Sequence, residues 1–137
     1  MTADLPALLT RVEGGSGPDR ELNADILHAF GWRASSSTDV LDPDGVRCWQ
    51  VPDFIVSLDA TRELAARFGF HLNLEPRFHI DGERVDHIAR ALRPRWADWR
   101  PDDEWFDRGE ARHPEQVRAA LAALLRALID QIQEGKG

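Results

Sequence analysis

The segment HIDGERVDH contains four side chains of the types that ligate metal ions, namely His79, Asp81, Asp86 and His87. A turn at its Asp-Gly pair would bring His79 towards His87, and two imidazoles with a carboxylate suit zinc or iron. The segment lacks the recognised spacing in which two histidines occupy successive helical turns with a glutamate between them. Asp-Gly is also ordinary turn chemistry after a strand. A metal-dependent hydrolase that uses His79, Asp81 and His87 is therefore an alternative hypothesis, beside an ordinary strand end.

A second segment, RPRWADWRPDDEWFDRGEAR, combines indole rings with guanidinium groups. Such a surface can stack a nucleotide base and add cation–π attraction. Trp and Arg also anchor protein–protein interfaces. In the structural alternative, the indoles cover the open side of a small sheet and the charges solvate its rim. The ligand- or partner-binding candidates here are Arg95, Trp96, Trp99, Arg100 and Trp105.

The glycine-rich stretch GGSGPDR leads into a predicted helix, whose N-terminal amides could bind an anion. It lacks the Lys-Ser/Thr pair of a P-loop and does not follow a strand. Most residues of this stretch are explained by helix formation, with an N-cap at Ser16 or Gly17 and a first helical turn that begins at Pro18. Arg20 and Arg33 are not needed for helix formation, so they join the binding candidates. No nucleophile elbow or dinucleotide fingerprint is present, and we assign no catalytic residue and no cofactor.

The chain has 137 residues, a length that predicts one domain over 1–137. Its 24 acidic and 17 basic residues give a net charge of −7, which disfavours bulk nucleic-acid binding because that requires a basic face. The single cysteine, Cys48, excludes an internal disulfide framework. We interpret it as a buried apolar residue, with a catalytic thiol as the alternative. No signal peptide or membrane span is evident, which predicts a protein of the bacterial cytoplasm without membrane association.

Hydrophobic periodicity predicts the elements that would position these residues. The last helix is predicted to start at Pro114, with an apolar stripe to Ile132 and an Ala-rich face that permits close approach. Ser57 is the expected N-cap of the third helix, in which Glu63 and Arg67 have the spacing of a surface ion pair. The other predicted helices are 3–13, 18–30, 58–68 and 85–92, and the predicted strands are 46–51, 54–56, 70–75 and 77–81. Pro76 would separate the last two strands as the turn of a hairpin.

This order of elements predicts an α+β fold. Each helix has one apolar stripe, which must be buried against a sheet or another helix. The simplest arrangement is an α-β-α sandwich, with a small, mainly antiparallel sheet of three to four strands covered by helices.

Three segments carry a family resemblance: LLTRVEGGSGPDRELNADILHAFGWR, VPDFIVSLDATREL and HPEQVRAALAALLRALI. Together they resemble the phage ABA sandwich domain family, in which a Gly-Pro-Asp-Arg-Glu-Leu helix ends near Gly-Trp and a Ser-Leu-Asp-Ala segment opens a middle helix. His113 stands where that family typically has threonine, which implies a different cap for the last helix. The central region 77–108 has no matching motif and is interpreted as divergent or inserted.

The resemblance implies a phage or prophage origin, but it implies no reaction, because the family has no established activity. The favoured hypothesis is a noncatalytic accessory protein that binds a host or phage protein, or a small anionic ligand. A nucleotide is one candidate ligand, as for a counter-defence protein that sequesters it. A virion assembly component is a further alternative beside the metal-dependent hydrolase, and homo-oligomerisation is left open.

Overall fold

Helices and antiparallel strands make up the computed structural model, which describes residues 4–34, 40–48, 50–78, 85–94 and 105–136. The helices are α1 (Leu5–Gly14), α2 (Arg20–Ala29), α3 (Leu58–Arg67) and α4 (Gln116–Lys136). The strands are β1 (Arg33–Ala34), β2 (Val40–Leu41), β3 (His71–Phe78), β4 (Val85–Pro94) and β5 (Trp105–His113). One sheet pairs β1 with β2, and the other has the order β3-β4-β5 with every pair antiparallel. The predicted α+β class with a small antiparallel sheet is confirmed.

The first three helices begin at polar side chains that accept hydrogen bonds from the first turn. Asp4 accepts from the amide of Ala7, and Ser57 accepts from Ala60, as predicted for Ser57. Asp19 caps α2 by accepting from the amide of Leu22 at 2.9 Å. The expected cap at Ser16 or Gly17 was therefore wrong, because the Asp19 carboxylate takes the amide that a cap must satisfy.

The helix predicted over 85–92 is a strand, β4, at the centre of the three-stranded sheet. Ala89 and Ala91 are fully buried, and Ala89 lies opposite Ala111 of β5. The apolar residues of this segment fit both helical and strand periods, since a run this short does not separate the two. Antiparallel pairing with both β3 and β5 shows that this segment is a strand.

The hairpin predicted around Pro76 is also wrong, because β3 continues through that residue and pairs with β4 along its length. Proline has no amide hydrogen to give to a ladder, so it is tolerated on edge strands. β3 is such an edge, since it pairs with β4 alone among the strands that the structure describes.

The predicted strand at 46–51 is absent from the described part of that segment. Arg47 lies in an isolated bridge to Leu41, and β2 pairs with β1 instead. Residues 54–56, also predicted as extended, form a turn in which the Asp53 carboxylate accepts from the amides of Ile55 and Val56. A local side-chain acceptor thus outcompetes strand pairing here.

α4 is the central element of the core. It packs on β4 and β5, and it also contacts α1 and α3. Residues 119–125 are all buried, and every one of them is alanine or leucine. Gly109 of β5 lies against the backbone of α4, where an added Cβ would come within 2.7 Å of the amide nitrogen of Ala127. The predicted close approach to the Ala-rich face is confirmed. No helix among the described residues is long and apolar enough to cross a membrane.

Candidate binding site

The structure places the predicted binding residues apart where it describes them. Arg20 begins α2, and Arg33 lies beyond its other end in β1. A helix of 10 residues spans about 15 Å, so these two guanidinium groups do not form one site. Both side chains are exposed and form no ion pair in the described part of the chain. Trp105 begins β5, but its side chain is not described, and Arg95, Trp96, Trp99 and Arg100 lie outside the described residues.

The metal-site alternative is described only in part, because His79 and Asp81 lie outside the described residues. His87 lies in β4 opposite His113 of β5. His113 is already engaged: its Nε2 atom donates to the carbonyl oxygen of Gly15 at 2.9 Å, and its Nδ1 atom accepts from the amide of Glu115. Among the residues that the structure describes, no group of three His, Cys, Asp or Glu side chains is placed to hold a metal ion. Cys48 is free and half-buried against the core.

The glycine-rich stretch before α2 is bound by the protein's own side chains. Both carboxylate oxygens of Glu115 accept from the amide of Gly17, at 3.0 and 2.9 Å. The amide that could have held an anion is therefore occupied by an internal carboxylate. This contact, together with the bond from His113 to Gly15, ties the loop to the start of α4.

Arg118 completes this attachment from a fully buried position, with only 1% of its surface exposed. Its guanidinium donates to the carbonyl oxygens of Arg11, Val12 and Gly17 at 3.3, 3.0 and 2.8 Å. The first two belong to the last turn of α1, where carbonyl groups have no helical partner and the helix dipole is negative. A Cβ at Gly15 would lie 2.7 Å from the Arg118 Nη1 atom and 3.1 Å from the carbonyl oxygen of Arg11, so a side chain there would displace the guanidinium. The glycine-rich motif is thus architectural.

A different feature lies at the C-terminal end of α2, and we call it the Trp32 pocket. It is an open recess of about 420 Å³. Phe30 and Phe68 meet edge to face with ring centroids 5.6 Å apart, and the Trp32 ring packs on Phe54 at 5.4 Å. The volume lies in the range of small-molecule sites. The described residues that line it are Ala29, Phe30, Gly31, Trp32, Pro43, Leu64, Arg67 and Phe68.

The cation of the pocket is Arg67, whose guanidinium carbon lies 5.2 Å from the centre of the Trp32 ring. The same group pairs with Asp44 at 3.2 Å and with Asp42 at 3.7 Å. The ion pair predicted between Arg67 and Glu63 does not form. The turn after β2 supplies the acids instead, since the Asp42 carboxylate accepts from the amides of Asp44 and Val46 and holds that turn in place.

Gly31 shapes one wall of the pocket. Its φ of 99° is a left-handed conformation that side chains rarely adopt. A Cβ at this position would also come within 3.3 Å of the Pro43 ring. The Gly-Trp pair in the sequence therefore turns the chain sharply, lets Pro43 approach, and places the Trp32 ring in the core.

A neighbouring recess of about 350 Å³ lies between α1 and α2. Its opposite charges satisfy one another, because Arg11 and Asp25 form an ion pair of 2.6 Å. That hydrogen bond to Asp25 raises the pKa of Arg11 above its ordinary value. With its guanidinium already paired and the Asp4 carboxylate also in its lining, this recess offers less to an anionic ligand than the aromatic one, so the Trp32 pocket is the better candidate site.

Sequence reasoning missed this pocket because its walls come from separate segments: α2, the β2 turn and α3. The Gly31-Trp32 pair was the available signal, since glycine before a buried indole indicates a close approach. Comparison of the chain with protein-family models, curated proteins and solved structures finds no match.

Proposed function

We propose that this protein is a noncatalytic phage or prophage accessory protein that binds a small ligand in the Trp32 pocket. The observation that carries the proposal is the open recess walled by Phe30, Trp32 and Phe68. Aromatic walls of this kind favour a flat, apolar group such as a nucleotide base. In the cytoplasm of a bacterial host, such a protein would act by sequestering its ligand.

The chemistry of the lining favours binding over catalysis. The described residues that line the pocket carry no carboxylate, imidazole, thiol or hydroxyl group. The carboxylates of Asp42 and Asp44 lie beside Arg67 and are paired with it. General acid–base and nucleophilic catalysis both require one of these groups within hydrogen-bond reach of the substrate. Arg67 is a permanent cation that orients a ligand but does not exchange protons at neutral pH.

Arg33 is not among the residues that line the pocket, and we propose that it meets an anionic group of the ligand that extends beyond the lining. It directly follows Trp32, its side chain is exposed, and it has no ion pair in the described part of the chain. Arg67, by contrast, is partly neutralised by Asp42 and Asp44. A ligand with a flat ring and one phosphate therefore fits better than a highly charged polyphosphate, because the two aspartates repel additional negative charge.

The test is a calorimetric titration with a panel of mononucleotides, cyclic nucleotides and dinucleotides. We expect at least one compound to bind with a micromolar dissociation constant, which corresponds to a binding free energy of about −8 kcal/mol. Ala29→Phe places a ring in the pocket and should abolish that binding; because Ala29 also lines the neighbouring recess, that recess needs a control of its own. The matched control is Ala7→Phe, which alters only the neighbouring recess and should leave the binding unchanged.

If no compound in the panel binds, the proposal of a nucleotide-type ligand is wrong. If a compound binds equally well to the Ala29→Phe protein, the pocket is not its site.

A further inference from the structure

Two large apolar side chains are exposed on the segment that leads into α3. Val51 has 43% and Val56 has 50% of its surface exposed. Both line an open groove of about 380 Å³, together with Pro52 and Ala60. We call this feature the valine groove; its polar lining residues are Gln50, Asp53, Ser57, Asp59 and Glu63.

Fixed contacts hold the valines outward. The Asn23 side chain donates to the carbonyl oxygen of Pro52 at 3.1 Å and accepts from the amide of Phe54 at 2.9 Å. Thr61 donates its hydroxyl to the carbonyl oxygen of Phe54 at 3.0 Å. Phe54 and Ile55 are buried in the core. With these neighbours anchored inward, the exposed valines form a preorganised surface, which lowers the entropic cost of binding.

The rim of the valine groove carries negative charge that no described cation pairs with. Asp59 and Glu63 are exposed and lie one turn apart on α3, and Asp53 lies at the turn before it. None of the three forms an ion pair with any Lys or Arg side chain that the structure describes. Arg67, the cation with the right spacing for Glu63, is engaged by Asp42 and Asp44 instead.

We propose that the valine groove binds a basic, apolar segment of a partner protein. The aliphatic side chains of that segment would cover Val51 and Val56, and its Lys or Arg residues would face the acidic rim. Charge complementarity carries this choice, since three carboxylates that form no ion pair within the described residues repel an acidic partner and accelerate association with a basic one. The site is distinct from the Trp32 pocket, so it does not depend on the small-ligand proposal.

The experiment uses synthetic peptides of equal length: one of lysine and leucine, one of lysine and serine, and one of glutamate and leucine. Binding to the full chain is followed through the methyl resonances of Val51 and Val56. We expect the lysine–leucine peptide to bind best, and its affinity to fall as salt is added, because salt screens exposed charges.

Val56→Ser should weaken that binding by about tenfold, the range for an apolar side chain at the centre of an interface. Glu63→Lys should weaken it as well and should reduce the salt dependence. Val46→Ser is the matched control, since Val46 is 60% exposed but does not line the groove. Its variant should bind like the unaltered protein.

Four results would overturn the proposal. If the lysine–serine peptide bound equally well, apolar side chains would not contribute to binding. If the glutamate–leucine peptide bound equally well, the positive charge would not contribute. If none of the three peptides bound, the valine groove would not be a site for such a segment. Concentration-dependent dimerisation that Val56→Ser abolishes would identify a second copy of this chain, and not a basic partner, as the occupant.

Discussion

The Nη2 atom of Arg118 donates a hydrogen bond of 2.8 Å to the carbonyl oxygen of Gly17, across 101 residues of sequence. Through the same side chain, α4 also holds the carbonyl groups at the end of α1. The glycine-rich loop between α1 and α2 thus has a fixed position, which in turn fixes where α2 and its C-terminal pocket lie.

Arg118→Ala should be strongly destabilising, because it leaves buried carbonyl groups without donors and creates a cavity. We expect a loss of about 3 kcal/mol in the free energy of unfolding, measured by urea denaturation. Arg126→Ala is the matched control on the same helix. Arg126 is 45% exposed in its ion pair with Glu13, and an exposed pair contributes about 1 kcal/mol or less. Equal losses in the two variants would contradict the structural role of Arg118.

Gly109→Ala should separate β5 from α4. The added Cβ would collide with the backbone of α4 at Ala123 and Ala127, where no flexible side chain can move aside. We expect a loss of about 1–3 kcal/mol, typical of overpacking. Gly14→Ala is the control, since a Cβ there meets nothing within 4 Å and the φ is not positive. A stability scan in which the two variants melt at the same temperature would contradict the packing.

Gly31→Ala should cost more stability than Gly69→Ala. Both glycines have positive φ, at 99° and 80°, so both variants are strained. Only Gly31 also lies against Pro43, whereas a Cβ at Gly69 meets nothing within 4 Å. We expect about 1–2 kcal/mol for the strain alone and a further loss for Gly31→Ala. Equal unfolding midpoints would mean that Pro43 does not form the wall of the Trp32 pocket.

Asn23→Ala should loosen the segment that carries the valine groove. The variant removes one donor and one acceptor that fix Pro52 and Phe54. Hydrogen exchange at the amide of Phe54 should become faster, with a stability loss of about 1–3 kcal/mol. Asn23→Asp retains the acceptor for that amide and should protect it better than Asn23→Ala does. Unchanged exchange in Asn23→Ala would show that the side chain does not hold the segment.

Local chemistry made the helices predictable. The Ser57 cap and the apolar stripe of α4 are contained within a few residues, so periodicity and capping rules were sufficient. β4 was not predictable in this way, because its identity is set by Ala89 and Ala91 packing under α4. The strands predicted at 46–51 and 54–56 failed for a related reason, since contacts with the turn after β2 hold the start of the first segment and the Asp53 carboxylate folds the second into a turn.

The candidate site depends more than the helices do on contacts between residues that are far apart in the sequence. Arg118 could be noticed as a charge within an apolar helix, but its partners lie about a hundred residues away. The Trp32 pocket arises only when Pro43 and Arg67 meet the end of α2. Arg20 and Arg33 remain predicted binding residues, and of these only Arg33 lies next to the pocket in sequence.

The most direct test of the central claim is a two-dimensional NMR titration of the chain with its best-binding nucleotide. The indole N–H resonance of Trp32 and the amide resonances of Phe30 and Phe68 should shift together and saturate at one dissociation constant. The same titration of Ala29→Phe should leave these resonances unchanged. Saturable shifts that exclude these residues, or no shifts at all, would contradict a ligand site in the Trp32 pocket.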